Sequence, residues 1–132
     1  MIGQGEDKAH AVARSNIAGL RVLVVEDETM AVMLLEDILE QFGCAVVEIA
    51  PRVASAQKAL KTRTFDCAIL DINVHGQPVY PVARALDDRG IPYILMTGYN
   101  QDDIEASFRD RPVLYKPFEP AQLHDALMRA KK

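Results

Sequence analysis

Glu26, Asp27 and Glu28 stand in a row directly after the apolar run Val22 to Val25, and Asp71 follows a second run, Ala68 to Leu70. Thr97 and Gly98 follow Ile94 to Met96, while Lys116 and Pro117 follow Val113 to Tyr115. Each group sits just beyond an apolar segment of strand length, the place where ligands bind if those segments are parallel strands of one open sheet. Acids gathered on one rim repel, since unit charges about 4 Å apart interact by about 4 kcal/mol at an effective dielectric near 20. Lys116 supplies one compensating charge, and a hard divalent cation supplies the rest. Mg²⁺ suits such a site because it accepts few carboxylates and keeps several waters.

Carboxylate, hydroxyl, ammonium and Mg²⁺ together suit phosphoryl transfer, in which the protein positions groups and balances charge. Asp71 is then the nucleophile, attacking phosphorus to form an acyl phosphate. Glu26 and Asp27 fix the metal directly or through water, alongside Asp71 and the backbone carbonyl of Asn73. Thr97 and Lys116 take the remaining phosphoryl oxygens. Any single acid after a strand is ordinarily a cap or turn residue, and Asp27 suits the cap of the helix that follows. Only the set, spread over four strand ends, argues for chemistry.

The elements that must position this set are legible as five short apolar runs, the fifth of them Val46 to Ile49. They are continuous rather than alternating, as strands covered on both faces by helices are. Between them, Ala31, Leu35, Ile38, Leu39 and Phe42 form one helical stripe that Gly43 ends. Further helices are expected near Val53 to Lys61, near Val79 to Asp88 with Gly90 as the stop, over residues 101 to 108 as a short fourth helix, and finally through Leu123, Leu127 and Ala130. Strand and helix alternate five times, so right-handed crossovers build an α/β fold, a doubly wound five-stranded parallel sheet with helices on both faces. Residues 1–17 lack periodicity and read as a mobile tail, leaving one domain over 18–132.

With 132 residues the chain has room for one core and not two. A net charge of −4, with Lys and Arg scattered, leaves no basic stripe for nucleic acid. No stretch approaches the roughly 20 apolar residues of a membrane helix, and the first residues lack the apolar core of a signal peptide, so the expected location is the cytoplasm. Cys44 and Cys67 adjoin apolar runs and read as buried reduced thiols. His10, His75 and His124 belong to no metal-ligand cluster and read as surface histidines, although His75, in the loop after Asp71, is placed to tune the site.

The motifs Val24-Val25-Glu26-Asp27, Ala68-Ile69-Leu70-Asp71-Ile72-Asn73, Met96-Thr97-Gly98 and Tyr115-Lys116-Pro117-Phe118 resemble the acidic pair, phosphoacceptor strand, switch hydroxyl and lysine motif of response-regulator receiver domains. The resemblance runs from Leu20 to the end and implies the flavodoxin-like receiver fold of two-component signalling. It also implies a histidine kinase or histidine phosphotransfer protein as phosphodonor, self-catalysed phosphorylation and hydrolysis without ordinary enzyme turnover, and a downstream protein target. The Lys116-Pro117 bond becomes a candidate cis peptide, against the ordinary trans preference.

One departure stands out. Receivers commonly carry Phe or Tyr three residues before the lysine, and Val113 is there instead. Tyr115, on the same strand face, and Tyr99, two residues after the switch threonine, are the alternatives, and both equally suit amphipathic surface positions. Tyr99 would also flank the path of a hydrolytic water. Leu95-Met96-Thr97-Gly98-Tyr99 resembles the Phe-Ala-Thr-Gly-type motif of a largely free-standing receiver subgroup without that aromatic switch, departing from it at Leu95 and Met96.

Output from a lone domain must be altered affinity for a partner, read by the last helix, last strand and short fourth helix of a monomer or weak homodimer. Three other readings compete. A pseudo-receiver would keep the site and signal by binding alone. A haloacid-dehalogenase-like aspartyl phosphatase needs Asp-x-Asp, and Asp71-Ile72-Asn73 lacks the second acid. A flavodoxin-like cofactor binder needs a phosphate loop where three acids stand.

Overall fold

The computed structural model describes residues 17–98 and 104–131. Its core is a five-stranded parallel sheet made of β1 (Arg21–Val25), β2 (Ala45–Ala50), β3 (Cys67–Asp71), β6 (Tyr93–Thr97) and β7 (Val113–Tyr115), in the order β2-β1-β3-β6-β7. Four helices connect or follow these strands: α1 (Thr29–Gln41), α2 (Val53–Thr62), α3 (Tyr80–Asp88) and α4 (Pro120–Lys131). The sheet grows outward from β1 and β3 in both directions, so their carboxyl ends meet at the switch point of the topology.

Alternation along the central strands divides the apolar residues between two layers. Val22, Val24, Ile69, Ile94, Met96 and Leu114 pack with Leu35, Ile38 and Leu39 of α1 and Leu123, Ala126 and Leu127 of α4. Leu23, Val25, Ala68, Leu70, Tyr93 and Leu95 pack with α2 and α3 on the other face. Runs such as Val22 to Val25 therefore read as continuous because each neighbour fills a different core. Cys44 and Cys67 are free, buried thiols in the first layer. Burial pushes them up to about 11 and about 12 respectively.

Three local features depart from the sequence expectations. Within 101–108, residues 104–108 are described, and they contain a single 3₁₀ turn, Ala106–Phe108, rather than a helix. Phe108 stacks on Tyr80 with ring centroids 4.9 Å apart, and Ile104 is buried, so this stretch is held by side-chain anchors. His124 is half-buried rather than a freely exposed surface residue: its ring meets Phe42 at 5.1 Å and Nε2 is buried. A short hairpin, β4 (Asn73–Val74) and β5 (Gln77–Pro78), follows β3 and was not foreseen. Its two turn residues, His75 and Gly76, both have positive φ, +50° and +75°, as a type I′ turn requires.

Residues 1–16 of the expected tail lie outside the described residues, but its last member, Ile17, is 1% exposed and belongs to the α1/α4 core. Its carbonyl accepts from the Leu20 N–H at 3.2 Å and from the Cys44 thiol at 3.4 Å. Ile17→Ala is expected to lower unfolding free energy by about 2–4 kcal/mol, the usual cost of truncating a buried aliphatic side chain. Urea unfolding of parent and variant measures it, and an unchanged midpoint would show that Ile17 does not belong to the fold.

Candidate functional site

Three strand ends deliver the acids and the ammonium to one place on the sheet rim. Glu26 leaves β1 and is held in place by its backbone N–H, which donates to the Ala50 carbonyl at 3.1 Å. Asp71 ends β3, and Lys116 follows β7 with its N–H on the Thr97 carbonyl at 2.8 Å. The Lys116-Pro117 peptide is cis, as the resemblance implied. Lys116 Nζ donates to Asp71 Oδ2 at 3.1 Å and to Glu26 Oε1 at 3.2 Å.

Glu26 is 1% exposed, and its second oxygen, Oε2, is buried with no hydrogen-bond partner among the described residues. Burial first, and then the Asp71 carboxylate beside it, push Glu26 up to about 8, with Lys116 only partly offsetting them. For Lys116, burial acts downward, but the charges of Asp71 and Glu26 outweigh it and leave the ammonium raised. One ammonium is thus shared between two carboxylates, and a third acid is close by.

That acid is Asp27. Oxygens of Glu26, Asp27 and Asp71 lie within 4.8 Å of one another. Crowded carboxylates, one with an orphaned buried oxygen, fit a hard divalent cation of the Mg²⁺ class. Asn73 begins the hairpin, and its N–H donates to Asp71 Oδ1 at 3.3 Å. Thr97 is 1% exposed at the end of β6, with Gly98 exposed next to it on the rim.

Sequence position placed His75 beside the site but did not show its link to Asp27. The His75 backbone N–H donates to Asp27 Oδ2 at 3.1 Å, and its imidazole Nδ1 lies 3.9 Å from the same oxygen. The hairpin thereby ties the rim of β3 to that of β1. The only sequence signal was the dipeptide His75-Gly76, a weaker turn signature than Asn-Gly.

Residues 22–128 match the family profile of the response regulator receiver domain. The chain belongs to this family. The receiver domain is 28% identical over 109 residues to the uncharacterized transcriptional regulatory protein YbdJ of Bacillus subtilis, covering 80% of the receiver chain and 48% of YbdJ. It thus spans about half the length of that curated relative. It is 41% identical to SdrG from Sphingomonas melonis Fr1, with a TM-score of 0.76 over 83% of this chain and 93% of that one. The BeF3-activated conformation of SdrG, from Pseudomonas melonis Fr1, is 40% identical, with a TM-score of 0.77 over 87% and 98% of the two chains.

The residues that the sequence offered as switch positions fall as follows. Val113 is half-buried and packs against the α2/α3 core, where its size leaves no ring to turn. Tyr115 is 44% exposed and pairs in register with Thr97. Tyr99 lies outside the described residues. A second missed feature is the outer side of α1, where Met30, Met33 and Leu34 are 72%, 54% and 47% exposed. They lie off the Ala31-Leu35-Ile38 stripe, and that offset was visible in the sequence.

Among the described residues, no helix is long and apolar enough to cross a membrane.

Proposed function

We propose that this receiver accepts a phosphoryl group on Asp71 from a phosphohistidine of a histidine kinase or phosphotransfer protein, and signals by altered binding to a downstream protein. The observation that carries the reading is the Lys116 ammonium held between Asp71 and Glu26, beside an acidic cluster with an orphaned oxygen. The BeF3-activated conformation of the similar SdrG supports the same chemistry here.

An Asp71 oxygen attacks phosphorus as the N–P bond of the donor breaks, and the imidazole leaves with the bonding pair and takes up a proton. Glu26, Asp27, Asp71 and the Asn73 carbonyl would hold Mg²⁺, which when bound neutralises charge on the phosphoryl oxygens. Lys116 exchanges its bond with Asp71 for one with a phosphoryl oxygen, and Thr97 and Gly98 line the position of another. Thr97 and Tyr115, paired across β6 and β7, would pass the change to the surface, with Val113 too small to do so. Tyr99 would set the lifetime of the acyl phosphate.

The test is the intact mass after incubation with acetyl phosphate and Mg²⁺, compared with the same reaction in chelator. A single adduct that needs the metal and is lost in Asp71→Asn bears the proposal out. A chain left unmodified by acetyl phosphate and by every phosphohistidine protein offered would instead be a pseudo-receiver.

The exposed apolar side of α1 begins two residues after Glu28 and is where the donor would sit, since apolar patches flanked by polar rims mark interaction sites. Met33→Glu is expected to slow transfer from a phosphohistidine protein by about tenfold or more, the effect of burying one unpaired charge at an interface. Labelling by acetyl phosphate should be unchanged. Equal slowing with both donors would count against donor docking on α1.

A further inference from the structure

At the opposite end of the sheet, a pocket of about 810 Å³ is lined by Arg21, Lys61, Arg63 and Arg89 around Thr62, Thr64 and an apolar floor. Four cations in one pocket stand out in a chain of net charge −4. All three guanidiniums are fixed by backbone carbonyls. Arg89 donates to Leu60, Arg63 Nη1 donates to Val47 at 3.0 Å, and Arg21 Nε donates to Thr64 at 3.4 Å. For Arg21 and Arg89 these neutral partners orient the group without cancelling its charge.

Of the four, only Arg63 is seen in an ion pair among the described residues, with Glu48 at 3.3 Å. The nearby Asp66 carboxylate is engaged by the backbone N–H of Arg21 at 2.8 Å. Capping of the α2 carboxyl end accounts for Arg89, on the Leu60 carbonyl, and for Lys61 in the last turn. It does not account for Arg21, which begins β1, or for the convergence of all four on one concave surface.

We propose that this pocket binds a small ligand carrying two or more phosphate groups, at a site separate from Asp71. Guanidinium forks suit tetrahedral oxyanions, and the pocket, open to solvent, has room for a small molecule, although the Thr62 hydroxyl already donates to the Lys58 and Ala59 carbonyls. Arg21 and Glu26 are five residues apart on one strand, so the two sites lie roughly 16 Å apart at the usual rise per residue. The ligand therefore does not compete with the phosphoryl group for Lys116.

The test is a ¹H–¹⁵N NMR titration of the whole chain with inorganic pyrophosphate, in chelator and at constant ionic strength. Saturable shifts are expected over residues 60–65 and 89–91. The double variant Arg21→Gln/Lys61→Gln, which alters two exposed side chains, should bind at least tenfold more weakly while keeping its unfolding midpoint. Adenosine diphosphate run in parallel separates the sources. Tighter binding than pyrophosphate assigns a nucleotide, and equal binding assigns a free oligophosphate. Shifts that do not saturate, that chloride reproduces, that persist in the double variant, or that cluster at Lys116 would overturn the proposal. So would a hexaglutamate peptide that binds more tightly than pyrophosphate.

Discussion

A Lys116→Met variant is expected to take phosphate from acetyl phosphate about a hundredfold more slowly than the parent, the usual loss when one preorganised donor is removed from a developing anionic charge. Methionine keeps most of the volume of the side chain and removes only the ammonium. In the parent that ammonium is 3.1 Å from Asp71 and 3.2 Å from Glu26, so it is in place before substrate arrives. Initial rates of adduct formation by intact mass measure the effect, and a rate within twofold of the parent would remove Lys116 from the proposed mechanism.

The same variant leaves Glu26 and Asp71 without their counter-ion. Breaking a fully buried pair costs about 3–5 kcal/mol, but the Lys116 side chain is 25% exposed, so about 1–3 kcal/mol is expected in metal-free protein. Mg²⁺ should restore part of that loss, because it supplies positive charge to the same carboxylates.

The second large effect concerns pH. With Glu26 pushed up to about 8, the metal-free folded protein is expected to hold a proton on Glu26 at neutral pH. The unfolded chain releases the Glu26 proton near 4.3. Between about 4.3 and about 8 the folded state binds the extra proton, so the contribution is full below that window and is lost as pH rises through it. Metal-free stability should fall with rising pH, with a slope of at most about 1.4 kcal/mol per unit. A divalent cation displaces that proton, so Mg²⁺ affinity should rise by up to about tenfold per unit toward pH 8 and then level. Urea unfolding in chelator at pH 6, 7 and 8, with Mg²⁺ titrations at the same values, tests both trends. Glu26→Gln should flatten the stability slope, and a parent whose stability is already flat would show that Glu26 holds no proton.

Much of this site was readable because the fold converts chain position into spatial position. Val22 to Val25 and Ala68 to Leu70 read as strands with no partner in view, and their carboxyl ends had to share a rim once the sheet was parallel. Glu26, Asp27, Asp71 and Lys116 do converge there. What could not be read depends on contacts with no local signature. His75 reaches Asp27 because two successive positive φ angles fold the hairpin back, and His-Gly does not advertise that geometry. His124 is partly covered by Phe42, which is distant in sequence. Ile17 stands beyond a stretch without periodicity, and a single isoleucine makes no pattern. Over 104–108 the expected short helix is a single 3₁₀ turn for a related reason, since Ile104 and Phe108 anchor the segment by packing, and its hydrogen bonds, such as that from the Phe108 N–H to the Glu105 carbonyl at 2.9 Å, close only three residues back.

The two thiols buried under α1 and α4 turn the domain into its own stability gauge. Cys44 and Cys67 are 8% and 3% exposed and strongly disfavour the thiolate, so an alkylating reagent should reach them chiefly through opened molecules. Under rapid reclosing, the labelling rate follows the opened fraction, and any ligand that binds only the folded state lowers that fraction by a factor of 1 + [L]/Kd. Mass-resolved alkylation would then rank metals, phosphodonors and oligophosphates on the unmodified sequence, without a dye or an engineered probe.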